Sequence, residues 1–126
     1  MKIPSEHQAV MPYLILKKAS KFIDFSQNVF GATIIHKTFR NEAQAILAHC
    51  ELQIDGSTIM FADATQNFEP QTANLFVYVD DADKRFQLAI DNGASILMEL
   101  SNQEYGRTCG VTDPFGNVWW ITSLPE

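Results

Sequence analysis

The residues with the most evident chemical potential are a histidine and a glutamate two positions apart, His49 and Glu51. Side chains alternate between the two faces of a β-strand, so residues spaced by two share one face. An imidazole titrates near neutral pH, and a neighbouring carboxylate can orient the ring for acid–base catalysis. A structural histidine that is satisfied by hydrogen bonds fits the same pattern, so both interpretations stay open.

Three other basic or titratable groups have weaker claims on chemistry. Arg107 could bind a carboxylate or phosphate with its planar guanidinium, or it could form a structural ion pair with Asp113 or Glu104. His36 is expected on an edge strand in contact with solvent. His7 is expected in a flexible N-terminal segment.

The two cysteines are not expected to do chemistry. Cys50 and Cys109 make no metal-binding spacing, and each lies in a strand-like segment. Alternation places Cys50 on the helix-facing side of its strand, where burial should keep the thiol protonated. We therefore predict two reduced thiols rather than a disulfide.

Composition narrows the function classes. A chain of 126 residues with 46% hydrophobic content suits one soluble globular domain. The net charge of −6, with scattered basic residues, argues against a nucleic-acid partner. No apolar run is long enough to span a membrane, and the N-terminus lacks the apolar stretch of a signal peptide. The expected location is the cytoplasm.

The elements that must position these residues occur twice along the chain. The strand-like run Leu14-Ile15-Leu16 and the later Gly31-Ala32 recur about half a chain length further on as Val77-Tyr78-Val79 and Gly93-Ala94. Such a repeat fixes the architecture before any single motif does. Each half predicts the order β-α-β-β-β.

The expected bounds follow from hydrophobic periodicity and turn residues. In the first half we predict strands at 9–16, 33–39, 44–54 and 58–62 and a helix at 19–30. In the second half we predict strands at 74–79, 95–100, 105–112 and 118–122 and a helix at 82–92. The whole chain, 1–126, is expected to be one domain, with a first module at about 9–63, a linker at about 64–72 and a second module at about 73–122.

Several short motifs carry a family resemblance. They are Pro12-Tyr13-Leu14, Phe22-Ile23-Asp24-Phe25, Phe30-Gly31-Ala32 and Tyr105-Gly106-Arg107, followed by Asp113-Pro114-Phe115-Gly116-Asn117-Val118-Trp119. In this order they resemble the vicinal oxygen chelate superfamily of glyoxalase I, bleomycin-resistance proteins and extradiol dioxygenases, and most of all its PhnB-like branch. The resemblance implies an α+β fold in which two tandem βαβββ modules form a curved mixed-sheet cup, often across a homodimer.

For the enzymes of that family, the resemblance also implies a divalent metal held by His or Glu on the first and last strands of each module. The corresponding positions here are Met11, Met60 or Phe61, Asn74 and Trp120. These side chains offer neither imidazole nor carboxylate, the donors that such metals prefer. We therefore expect no metal at the usual position and no cofactor.

Strand alternation assigns the residues that would line the cup. The assigned inner face comprises Met11, Tyr13, Ile15, Leu47, His49, Glu51, Asn74, Phe76, Tyr78, Val118, Trp120 and Thr122. An apolar, aromatic lining with a few polar groups is typical of a small-molecule pocket. The ligand-binding candidates are Met11, Tyr13, His49, Asn74, Phe76, Tyr78, Arg107 and Trp120, although each aromatic could equally be a packing residue. Trp119 faces the other way and is expected in the core.

These observations favour a glyoxalase/bleomycin-resistance-like protein that binds a small, partly apolar or aromatic molecule without the usual metal ligands. The alternative is a lyase, isomerase or dioxygenase-type enzyme that uses His49 and Glu51 for acid–base work or a displaced metal site. A third possibility is an interaction module whose homodimer surface matters more than a pocket.

Overall fold

The structure, a computed structural model, describes residues 1–125 and divides into two compact units. The first unit comprises residues 1–27 and 31–72, and the second comprises residues 28–30 and the chain from Ala73 onward. Each unit contains one four-stranded mixed sheet. The predicted α+β class and the twofold β-α-β-β-β order are confirmed. The grouping of both units into one domain stays a prediction.

The first unit pairs its strands in the order β1-β4-β3-β2. Its elements are β1 (Tyr13–Leu16), α1 (Ala19–Phe30) except for residues 28–30, which belong to the second unit, β2 (Thr33–Asn41), β3 (Ile46–Ile54) and β4 (Ser57–Asp63). β1 runs parallel to β4, and the other pairs are antiparallel. α1 covers one face, where the buried rings of Phe22 and Phe61 meet edge to face at 4.9 Å. His49 and Glu51 lie on the opposite face of this sheet.

The second unit repeats this pairing in the order β5-β8-β7-β6. Its elements are β5 (Asn74–Tyr78), α2 (Ala82–Asp91), β6 (Ser95–Gln103), β7 (Gly106–Thr112) and β8 (Val118–Ser123). The core role expected of Trp119 is confirmed, because its ring is buried and packs on Phe30 at 4.6 Å.

Local sequence signals explain how the elements begin and end. Gly31 ends α1 in the left-handed conformation, with φ 68°, and donates its N–H to the carbonyl of Gln27. Asp81 caps α2 by accepting the backbone N–H of Lys84. The Asp55-Gly56 turn between β3 and β4 has φ values of 45° and 83°, as a tight hairpin requires.

The first strand is shorter than predicted, since it begins at Tyr13 rather than at residue 9. The side chain of Gln8 forms the hydrogen bonds that the backbone of a longer first strand would have formed. The amide of Gln8 accepts the N–H of Thr58 at 3.3 Å and donates to the carbonyl of the same residue at 2.9 Å. Met11, predicted to face inward from this strand, instead lies before β1 and is half-buried.

The alternation assigned to β3 is wrong at one position. Thr38 opposes His49, but the next residue, Phe39, opposes Leu47, so Ala48 is an extra residue in β3. This β-bulge changes which face the strand presents on either side of it. Leu47 is fully buried near α1, whereas His49 lies on the opposite face. Leu47 therefore does not share a face with His49, as strict alternation had predicted.

Candidate functional site

The open face of the first sheet carries a chain of hydrogen-bonded side chains centred on His49. The hydroxyl of Tyr13 lies 2.9 Å from Nδ1 of His49, and Nε2 of the same ring lies 2.8 Å from Oε2 of Glu51. The other carboxylate oxygen of Glu51 lies 2.7 Å from Nε2 of His7. Three of these residues were candidates from sequence, and the structure brings them together.

His7 is the member that sequence reasoning missed. Instead of lying in a free terminus, it is held against the sheet by Glu51 and by its neighbours. The carbonyl of Glu6 accepts from Thr58 Oγ1 and from Gln53 Nε2, and the side chain of Gln8 bonds to the backbone of Thr58, so the segment is fixed on both sides of His7. The contact joins residues 44 positions apart, so no local spacing could have indicated it.

The charges of the network follow from its hydrogen bonds. Hydrogen bonds from His49 and then from His7 hold the pKa of Glu51 below its ordinary value, so this carboxylate is ionised at neutral pH. An ionised carboxylate only accepts, so both Nε2 atoms donate to it. Burial raises the pKa of Tyr13, opposed by the charge of Arg40 and reinforced by that of Glu51.

A small cavity of about 320 Å³ adjoins the network. Its lining includes His7, His36, His49 and Glu51. His36 lies on the edge strand β2, as predicted, and is exposed to solvent. Its ring centroid is 6.0 Å from that of His49, so it borders the network without joining the hydrogen-bonded chain.

The open face of the second sheet is aromatic rather than polar. The ring centroids of Phe76 and Tyr78 lie 5.2 Å apart, and Tyr105, at the β6–β7 turn, lies 6.3 Å from Phe76. Trp120 is the partner of Phe76 on the neighbouring strand. We call Phe76, Tyr78, Tyr105 and Trp120 the aromatic face. Tyr105 was not among the predicted ligand contacts; it was predicted to begin a strand at 105–112, whereas β7 begins at Gly106.

The orientation of the Trp120 ring is set by the space above a neighbouring glycine and by one hydrogen bond. The strand partner of Trp120 in β7 is Gly110, which leaves room for the indole above the backbone. The indole Nε1 donates to Oδ1 of Asn74 at 3.2 Å. The structure therefore joins the predicted contacts Asn74 and Trp120 directly.

Arg107 is engaged in an ion pair that sequence reasoning did not name. Its Nε and Nη2 donate to the two carboxylate oxygens of Asp83 at 2.9 and 3.2 Å. The expected partners, Asp113 and Glu104, are therefore wrong. Asp113 is buried and accepts from its own turn and from Trp119. The planar fork of Arg107 is satisfied within the protein, which favours its structural role.

Within the part of the chain that the structure describes, neither the cysteines nor the acidic groups form a metal centre. Cys50 and Cys109 are free and buried, and burial raises the pKa of each thiol to about 11. Across residues 1–125, no group of three or more histidine, cysteine, aspartate or glutamate side chains is arranged to hold a metal ion. In the same part of the chain, no helix has the length and apolar character needed to cross a membrane.

Comparison with known proteins gives one family match and several structural neighbours. Residues 8–121 match the model of the glyoxalase/bleomycin resistance protein/dioxygenase superfamily. The uncharacterized protein Mb0911c of Mycobacterium bovis is 29% identical over 123 aligned residues, which cover 88% of this chain and 80% of that protein.

Two solved structures illustrate the shared fold. A PhnB protein from Bacillus cereus has a TM-score of 0.70 at 19% identity, covering 92% of this chain and 99% of that one. TnmS3, described as an antibiotic binding protein from Streptomyces sp. CB03234, has a TM-score of 0.70 at 17% identity, covering 94% of this chain and 100% of that one. At these identities the likeness shows the fold alone.

Proposed function

Because the chain belongs to the glyoxalase/bleomycin resistance protein/dioxygenase superfamily, we propose that it binds a small, partly apolar or aromatic molecule on the aromatic face of its second unit. The observation that carries this proposal is the exposure of three neighbouring aromatic rings, Phe76, Tyr78 and Tyr105. Single exposed apolar residues are ordinary, but a contiguous aromatic cluster on a sheet marks a binding surface.

The chemistry of this face suits a planar ligand. Aromatic rings stack on planar molecules in offset or edge-to-face arrangements, and they also attract cations. A polar group lies beside the rings, since Asn74 accepts from the indole of Trp120, while its amide N–H groups have no partner among the contacts of the described residues. A face of this kind would select a ligand by shape and by a few hydrogen bonds.

The biological role that we propose is sequestration of such a molecule. TnmS3, which shares the fold, is described as an antibiotic binding protein. Sequestration needs a binding face but no reactive group, which agrees with the neutral amide of Asn74 as the hydrogen-bond partner of Trp120.

We further propose that binding needs no resident metal ion. In the first unit, the positions of the family ligands hold Met11, which lies outside the strand, and Met60 or Phe61. In the second unit they hold Asn74, whose carbonyl oxygen already accepts from the indole of Trp120. Thioether, amide and indole groups do not fit the oxygen and imidazole preference of these metals, so no step is assigned to one.

The experiment is a thermal-shift screen of planar aromatic compounds followed by calorimetric titration of the best binder. Phe76→Ala and Trp120→Ala should each weaken binding at least about tenfold, because each removes one stacking surface. Phe68→Ala is the matched control, since Phe68 is also an exposed aromatic residue but belongs to the first unit. Unchanged affinity in both folded aromatic variants would reject this face as the site.

A homodimer is our proposal for the assembly. β6 is an edge strand of the second sheet, and it exposes Ile96 and Leu97. An edge with exposed apolar residues is a natural surface for a second copy. Light scattering should give twice the mass of one chain, and Leu97→Lys should lower that mass. A monomeric wild type at micromolar concentration would contradict the proposal.

A further inference from the structure

The side chains Tyr13, His49, Glu51 and His7 form a continuous hydrogen-bonded array in the first unit, which the ligand-binding proposal does not use. We call this array the tyrosine relay. We propose that the relay activates the Tyr13 hydroxyl as a proton acceptor toward a small molecule with a weakly acidic O–H or N–H group. The site would be distinct from the aromatic face and would not depend on it.

The direction of each hydrogen bond follows from the carboxylate. Since ionised Glu51 can only accept, the proton on the His49 ring resides on Nε2, which points at Oε2. The Nδ1 atom of the neutral ring then carries a lone pair. Tyr13 must therefore donate its O–H to Nδ1, at 2.9 Å. This leaves lone pairs of the phenol oxygen free to accept from an incoming group.

Every proton in the proposed step is accounted for by the incoming group, Tyr13 and His49. The incoming O–H or N–H bond breaks, and its proton bonds to the oxygen of Tyr13 while the original Tyr13 proton moves to Nδ1 of His49. The ligand leaves as its conjugate base, and His49 becomes an imidazolium. Glu51 stabilises that positive charge at 2.8 Å, and His7 holds the far oxygen of Glu51 in place.

Burial explains why Tyr13 would need an adjacent acceptor. Burial raises the pKa of Tyr13, so a free phenolate is disfavoured at neutral pH. Transfer of the proton to His49 removes the need to form that phenolate first. The side chain is nevertheless accessible, since 48% of Tyr13 is exposed. The arrangement corresponds to a hydroxyl activated by a histidine that a carboxylate orients.

The relay can be tested without knowing the natural ligand, by labelling with benzenesulfonyl fluoride. In this reaction the oxygen of Tyr13 bonds to sulfur, the S–F bond breaks, fluoride leaves and the phenol proton moves to His49. Peptide mapping by mass spectrometry gives the labelling rate at each tyrosine. Tyr78 and Tyr105 are internal controls, because they are 58% and 53% exposed and neither has a hydrogen bond to an imidazole among the described contacts.

We expect Tyr13 to react at least about tenfold faster than Tyr78 and Tyr105, although it is the least exposed of the three. His49→Ala should remove this advantage, and added imidazole should restore part of it. Glu51→Gln should give an intermediate rate. Equal rates at the three tyrosines, or an unchanged Tyr13 rate in His49→Ala, would overturn the proposal.

Two further measurements keep the test decisive. If His49→Ala does not fold, nitrogen NMR of the wild type should show the proton of neutral His49 on Nε2, and a proton on Nδ1 would contradict the relay. Phe76→Ala should leave Tyr13 labelling unchanged while weakening ligand binding. Failure of the relay and failure of the aromatic face are therefore separate results.

Discussion

Gly110 and Trp120 are strand partners in the second sheet, and the indole occupies the space above Gly110 where any other residue would carry a side chain. A Cβ atom on Gly110 would lie 2.6 Å from Cζ3 of Trp120. That distance is far below van der Waals contact, so the glycine and the ring orientation depend on each other. The position of Trp120 in the aromatic face therefore depends on Gly110, a residue that has no side chain.

Gly110→Ala should therefore move the Trp120 ring and weaken ligand binding. We expect a loss of affinity of at least about tenfold and a loss of stability of about 1–3 kcal/mol, the usual range for overpacking. Calorimetric titration and urea unfolding measure the two effects. Thr112→Ala, two residues along the same strand, is the control and should change neither by much. A Gly110→Ala protein with wild-type affinity would show that the ring position is unimportant.

Asp113 anchors the turn before β8, and its removal should destabilise the protein. Its carboxylate accepts four hydrogen bonds: from the backbone N–H groups of Phe115 and Asn117, the side-chain amide of Asn117 and the indole of Trp119. Each oxygen accepts two of these bonds, so Asp113→Asn would set its amide N–H groups against two donors, at a cost of about 1–3 kcal/mol in the free energy of unfolding. Urea denaturation gives this quantity directly.

The control for this change is Asp24→Asn on the exposed side of α1. A surface substitution of this kind should stay within about 0.5 kcal/mol. Equal effects of the two variants would mean that the buried hydrogen bonds of Asp113 add nothing to the stability of the turn.

Ser26 is the reverse case, because its removal should stabilise the protein. The side chain is fully buried in α1, and its Oγ has no hydrogen-bond partner among residues 1–125. Ser26→Ala removes an unsatisfied hydroxyl and raises helix propensity, so the free energy of unfolding should rise by about 1 kcal/mol. Ser20→Ala, on the half-exposed side of the same helix, isolates the propensity contribution. The burial argument fails if Ser26→Ala gains no more than Ser20→Ala.

Glu51 should make stability depend on pH in the acidic range. Its pKa is lower in the folded protein than in the unfolded chain, chiefly through hydrogen bonds from His49 and His7. Its contribution is therefore fully present above the unfolded pKa and is lost as the pH falls through the folded pKa. The stability difference between wild type and Glu51→Gln should shrink between about pH 6 and about pH 3.

Urea midpoints measured across this pH range provide the check. Glu104→Gln is the matched control, because Glu104 is exposed at a turn and should show no comparable trend. A constant difference between wild type and Glu51→Gln at every pH would contradict the assigned direction.

Much of the fold could be predicted because its signals are local. Gly31 ends a helix, Asp81 begins one, and the Asp55-Gly56 turn joins two strands, each through the conformations that those residue types favour. The family resemblance added the order of the elements. Both kinds of signal lie within a few neighbouring residues or within a repeated pattern.

The rest could not be predicted because it depends on contacts between distant residues. His7 reaches Glu51 across 44 positions, and Arg107 pairs with Asp83 across 24. No periodic pattern of residues in the sequence indicates such pairs. The extra residue at Ala48 is equally invisible, since its position follows from the register between two strands.

That extra residue also changes how substitutions along β3 should be tolerated. Before Ala48, the buried position is odd-numbered: Leu47 should tolerate no polar replacement. After Ala48, the buried positions are even-numbered: Cys50 and Leu52 should tolerate none. A mutational scan of this strand would therefore show two out-of-phase patterns rather than one. The buried positions change from odd to even numbers just before His49, so a buried leucine and a half-buried histidine on the opposite face occur two residues apart.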